Sequence, residues 1–235
     1  MATIILNKIE NIPLEDPSKT ILLNSLIRMV SYKDFLIEDN QNKVLSLLTS
    51  NVRNNILINF GDDNIELIID SQVSHLPQYN IHGTKVVILE EMLNYVCSFL
   101  TLLYHCCLEK NISAENISQV ILPLSQLNKM FLKPKTSLFF KYSLAKIFVH
   151  VHLETDKLIS PSTIDQLTPC YKMLSEDLLK YSEMDISREN RKRYNSRIYH
   201  YTSLGLKSHG EMVLDYLGAL CEVFFLSFKK ILKPG

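Results

Sequence analysis

The densest run of side chains able to do chemistry lies between Asp185 and Gly210. Arg188, Arg191, Lys192, Arg193, Tyr194, Arg197, Tyr199, His200, Tyr201 and Lys207 fall there, six Lys/Arg against Asp185 and Glu189, for a local charge of +4. Guanidinium groups grip phosphate or carboxylate through paired N–H donors, and tyrosine rings stack on bases. In a helix over 188–204, Arg193 and Arg197 share one face, with Arg191 and Asn195 on a neighbouring strip. The chemistry on offer is capture of an acidic peptide or a nucleic acid. Its carriers would be Arg188, Arg191, Lys192, Arg193, Tyr194, Arg197 and Tyr201. The plainer reading is a solvated charged face whose tyrosines pack inward.

Other constellations are weaker. Asp62, Asp63, Glu66 and Asp70 form an acidic cluster with no basic residue between Gly61 and Lys85. Hard cations want clustered carboxylates, but the register of a calcium loop is missing. This segment suits the basic one better, within the chain or between two copies. His150 and His152 are two apart, which on a helix sends them to different faces, and consecutive His105, Cys106 and Cys107 splay likewise. Neither set offers four converging zinc ligands. GxSxG, a P-loop, a dinucleotide-binding glycine pattern and HExxH are all absent, and six glycines leave little for phosphate-cradling loops. The expectation is a non-enzyme without cofactor or metal. Ser160-Pro161 and Thr168-Pro169 match a proline-directed phosphorylation pattern, and the two Asn-Ile-Ser sequons at Asn111 and Asn116 read as chance matches.

The elements that would position these residues are helices. The chain has 235 residues, 46% hydrophobic and 21% charged, enough for a sizeable core without staples. Gly and Pro are scarce at 6 and 8, which argues against a turn-rich β architecture. Val86–Leu108 is apolar nearly all round. Val86, Leu89, Leu93, Val96, Leu100, Leu103 and Cys107 make one stripe, and Met92, Tyr95, Phe99, Leu102 and Cys106 a second. Such a helix must be buried on several sides, at the centre of others.

Around it the spacing predicts helices over 18–35 (capped by Ser18), 41–58, a short one over 65–73, and 113–132 kinked at Pro123. Further helices are expected over 136–153, 162–181 (kinked at Pro169), 188–204 and 208–232. Gly61–Asn64 reads as a turn, residues 75–83 as the longest loop and a candidate hinge, and Thr84 as the cap of the central helix. The expected fold is all-α, one domain over residues 1–235 with eight or nine helices. It would be either a right-handed solenoid-like array of HEAT or armadillo kind, or a compact helical bundle.

Net charge is zero, so no global field calls for nucleic acid or an anionic membrane. Met92–Leu108 is short for a membrane span, and Met212–Phe228 carries Asp215 and Glu222, so both read as core helices and no membrane association is expected. If bare, Met212–Phe228 would instead be an interface. The five cysteines are odd in number and show no CxxC, and the N-terminus has no basic lead into an apolar stretch. Buried free thiols in an intracellular setting, nuclear or cytoplasmic, fit best.

The functional expectation is therefore a helical protein–protein interaction scaffold or adaptor, one subunit of a larger complex. An alternative is a nucleic-acid-associated factor in chromosome maintenance or recombination, working through 188–201. A further one is a bundle of Bcl-2-like type, one apolar helix ringed by amphipathic ones, which holds a partner helix in a groove.

Overall fold

The structure is a computed structural model describing residues 1–32, 35–50, 56, 83–133, 136–155, 161–184, 199–202 and 205–231. Over these the chain is all-α. Its helices are α1 (Ala2–Glu10), α2 (Pro17–Val30), α3 (Glu38–Thr49), α4 (Gly83–Cys107), α5 (Ile112–Ile121), α6 (Leu124–Phe131), α7 (Leu138–Ile147), α8 (Pro161–Ser182) and α9 (His209–Ile231). A π-helical stretch, Phe148–Leu153, continues α7. Two small antiparallel ribbons connect helices: β1 (Ser31–Tyr32) with β2 (Phe35–Leu36), and β3 (Tyr199–Thr202) with β4 (Gly205–Ser208).

The all-round apolar stretch is helix α4, and it lies at the centre. Leu93, Tyr95, Val96, Cys97, Phe99, Leu100, Leu102, Leu103, Cys106 and Cys107 are all buried. Helices α2, α3, α5 and α7 and the π-helical stretch all pack against it. Two of its buried polar groups bond to backbone: the Thr101 hydroxyl donates to the Cys97 carbonyl at 2.9 Å, and Tyr95 to the Ile56 carbonyl at 3.0 Å. The exit of the helix is capped from a distance. Gln41 Nε2 donates to the His105 carbonyl (2.9 Å), one of the carbonyls a helix end leaves orphaned, and Asn111 Nδ2 donates to Gln41 and Asn42. Between them Glu109 and Lys110 both hold φ of 60°, a left-handed turn that costs a side-chain-bearing residue about 1–2 kcal/mol.

Several helix ends differ from the sequence-based expectation, each for a local reason. The cap of α2 is Asp16, whose carboxylate accepts the Ser18 N–H at 2.8 Å, with Pro17 as first helical residue. That helix stops at Val30 rather than 35, because the chain turns into β1. Helix α3 begins earlier, with Glu38 and Asp39 in its first turn where the helix dipole favours acids. Thr84 lies inside α4 rather than capping it. Pro123 separates two helices instead of kinking one, and the first of them begins at Ile112, capped by Asn111, which accepts the Ala114 N–H. Helix α8 runs through Pro169. Helix α1 was not foreseen; Ala2, Leu6 and Ile9 are its buried side.

The largest correction concerns 188–204, expected to be helical. Tyr199–Thr202 is a strand, in register Tyr199 opposite Ser208 and Tyr201 opposite Leu206. Aromatic and β-branched residues favour the pleated strand, and Gly205 follows where the ribbon reverses. The expected helix over 65–73, the turn at 61–64, the expected 75–83 loop apart from Gly83, which instead begins α4, and the acidic cluster Asp62, Asp63, Glu66 and Asp70 lie outside the described residues. So does Ser160.

Candidate interaction surface

Helix α9 divides sharply between two faces. Met212, Val213, Tyr216, Ala219, Leu220, Val223 and Ser227 are buried against the rest of the fold. The outer face carries Leu214, Gly218, Cys221, Phe225 and Phe228, spaced four, three, four, three. Leu214 is 55% exposed, Phe225 68% and Phe228 62%, so this stripe is bare. The spacing is that of a coiled-coil seam, about 20 Å long at 1.5 Å per residue. Fully covering one such phenylalanine is worth about 1.5–3 kcal/mol, a gain this chain alone leaves unrealised. Gly218 sits mid-seam, where an added Cβ would meet nothing within 4 Å.

The inner face is held by polar ties as well as by apolar burial. Tyr216 donates to Asp177 Oδ2 at 2.8 Å, and the same oxygen takes the Lys141 ammonium at 2.6 Å. Lys146 pairs with Glu222 at 2.7 Å, and the Tyr171 and Ser227 hydroxyls share a 2.8 Å hydrogen bond. These ties fix α9 to α7 and α8 and so fix the direction of its outer face.

A second feature is a titratable cluster at the C-terminal end of α4. The Ser31 hydroxyl meets His105 Nδ1 at 2.7 Å, and Tyr104 lies between His105 and His150, with ring centroids 4.6 and 5.8 Å away. His150 Nδ1 contacts Glu154 at 2.6 Å, and that hydrogen bond, with the nearby Lys146 and Lys110, holds the carboxyl below its usual range. The expected divergence of His150 and His152 holds: His152 Nε2 reaches the Leu122 carbonyl instead, at 3.2 Å. Burial, then the nearby His150 and Lys146, depress His105 to about 4, so it is neutral at physiological pH.

A serine beside a neutral imidazole is the start of a nucleophile, but this one is committed elsewhere. The Ser31 hydroxyl also donates to the Ile27 carbonyl at 3.2 Å, so its single proton closes the end of α2 while the imidazole N–H donates to it. The cleft between α2 and α4 lies at the other end of these helices. Lined by Pro17, Thr20, Ile21, Asn24, Glu91, Asn94 and Ser98, it has a volume of about 210 Å³. That is smaller than the roughly 300–1,000 Å³ of ordinary ligand sites.

The His105 position gives a stability prediction. The unfolded imidazole, near 6.5, takes a proton that the folded one refuses until about 4. Stability is therefore expected to fall as pH drops through that window, by up to about 3 kcal/mol. His105→Asn should flatten this slope in urea unfolding followed from pH 7 to 4; an unchanged slope would remove His105 as its source.

No protein-family model, curated protein or solved structure matches the chain.

Of the site residues named from sequence, Arg188, Arg191, Lys192, Arg193, Tyr194 and Arg197 lie outside the described residues. Tyr201 lies in β3. Four of the five cysteines are buried free thiols as expected, with burial raising the thiol of Cys107 to about 12 and of Cys170 to about 12. The exception is Cys221, exposed within the α9 seam. No described helix is long and apolar enough to cross a membrane, and among the described residues no three His, Cys, Asp or Glu side chains gather as a metal requires. The 212–228 run was the sequence signal for the bare seam. Its outward members, Leu214, Cys221, Phe225 and Phe228, become distinguishable only once the inner face is known.

Proposed function

We propose that this chain is a non-catalytic protein–protein interaction module, an adaptor or scaffold subunit of a larger intracellular complex. It binds through the outer face of α9. The observation that carries this reading is the bare apolar seam of Leu214, Gly218, Cys221, Phe225 and Phe228 on a helix otherwise well anchored. Contiguous exposed apolar surface rimmed by charge marks a binding site more often than chance decoration. Five free thiols, two of them adjacent, favour a reducing intracellular compartment, nuclear or cytoplasmic.

Within this reading the helices form a bundle rather than a solenoid. A solenoid helix touches its sequence neighbours, whereas α4 is packed by helices from both halves of the chain.

The test is affinity purification of the tagged chain from its native cells, with and without nuclease, alongside Phe225→Ser/Phe228→Ser. The expected result is protein partners that survive nuclease and disappear with the double variant. Partners lost to nuclease but kept by the double variant would overturn this reading in favour of nucleic acid and the basic segment at 188–201.

A further inference from the structure

The α9 seam has an internal asymmetry that names its occupant. After Leu214 at its N-terminal end the seam is small, at Gly218 and Cys221, and then large, at Phe225 and Phe228. The flanks are asymmetric too: Asp215 lies near the N-terminal end, and Lys229 lies fourteen residues on, at the same heptad position. Between Gly218 and Phe228 the small pair lies toward the acidic flank and the large pair toward the basic one, so this part of the strip is complementary to itself when reversed.

We infer that α9 is the interface of an antiparallel homodimer, with a second copy of this chain as the occupant of the seam. The inference rests on the interaction-surface reading above and specifies its partner. Knobs-into-holes packing of antiparallel helices sets the first seam position of a heptad opposite the fourth. One such register places Gly218 opposite Phe228 of the second copy and Cys221 opposite its Phe225, each pair occurring twice about the twofold axis. Every large ring then meets a small residue. The open space above Gly218 becomes the hole for a ring. The same register brings Asp215 alongside the second copy's Lys229, twice. A shift of one heptad either sets Gly218 against Cys221, leaving a void where the helices should touch, or sets Phe225 against Phe228, crowding ring on ring. Glu222 falls near the axis, where its ion pair with Lys146 offsets the approach of its twin.

A single helix face buries less than the roughly 1,200–2,000 Å² of a standard tight interface, so the dimer should be concentration-dependent, in the micromolar class. In this register the two Cys221 Cα atoms are offset by four residues across a helix pair, about 10–12 Å apart. That exceeds the roughly 7 Å limit for a direct disulfide but suits a short bismaleimide.

The experiment uses the full chain in light scattering across the micromolar range, with bismaleimide cross-linking and thermal melts. Wild type should pass from monomer to dimer and cross-link through Cys221, the cross-link vanishing in Cys221→Ser. Gly218→Leu should be monomeric at every concentration yet melt no lower than wild type, because leucine favours helix over glycine and its Cβ meets nothing within 4 Å on this exposed face. Gly218→Leu/Phe228→Ala should recover the dimer, since the ring facing the new leucine is gone. A wild type that stays monomeric and uncross-linked overturns the proposal, as does a dimer that Gly218→Leu leaves intact. If the chain is monomeric but partner capture from cells still depends on Phe225 and Phe228, the homodimer falls and the interaction surface stands. If capture is also indifferent to them, both fall.

Discussion

Asp177→Ala is expected to destabilise the fold by about 3–5 kcal/mol, more than any ordinary surface change. Asp177 and Lys141 are each 7% exposed, and Tyr216 is fully buried. One carboxylate oxygen serves both partners, at 2.6 and 2.8 Å. Removing it strands an ammonium and a phenol in a site that water scarcely reaches, and each loses its compensation for desolvation. The triple change Lys141→Met/Asp177→Leu/Tyr216→Phe removes the whole polar set and should cost far less, because no orphan is left. Urea unfolding of both variants checks this. Equal losses would mean that the pair contributes net stability rather than merely mutual satisfaction. Since Tyr216 is on α9, the single variant should also blur the presentation of the outer seam.

Phe99→Ala is expected to cost a further class of energy, about 3–5 kcal/mol of lost transfer and cavity formation. Phe99 has no exposure, and it lies in the part of α4 that is enclosed on every side. Neighbours tied into helices on all flanks cannot collapse into the hole. The comparison is Phe225→Ala, the same chemical change on the bare seam, which should alter the stability of the monomer by less than about 0.5 kcal/mol. Denaturation of the two proteins at concentrations too low for association measures the contrast. A similar loss from Phe225 would show that its exposed ring is supported by the fold.

What the sequence disclosed follows from how local each signal is. α4 was legible because its charges end at Glu91 and two apolar stripes run along it, and a helix apolar on several sides belongs at a centre. α9 was legible as a helix from Met212 onward, while the identity of its outer face depends on what covers the inner one. Ends were read less well. Ser18 is a good cap residue, but Asp16, followed by Pro17, competes better. The strand at Tyr199–Thr202 is hidden in sequence because the helical spacing of Arg193 and Arg197 is a longer signal than the alternation of Tyr199 and Tyr201. Nothing within a few residues announces the Lys141–Asp177 pair, 36 positions apart, or the His105 contact with Ser31, 74 apart. Such meetings are products of packing.

The placement of α4 also sets the order of events while the chain is made. Its apolar circumference is sealed by α2 and α3, which precede it, and by α7, the π-helical stretch and the other elements that follow it. At the roughly 5–20 residues per second of synthesis, α7 emerges seconds after the central helix. For that interval the ribosome holds a half-wrapped hydrophobic rod. The nascent chain should therefore be a client of holding chaperones until α7 arrives, and truncations ending before Leu138 should be recovered as aggregates or degraded rather than as a smaller folded unit.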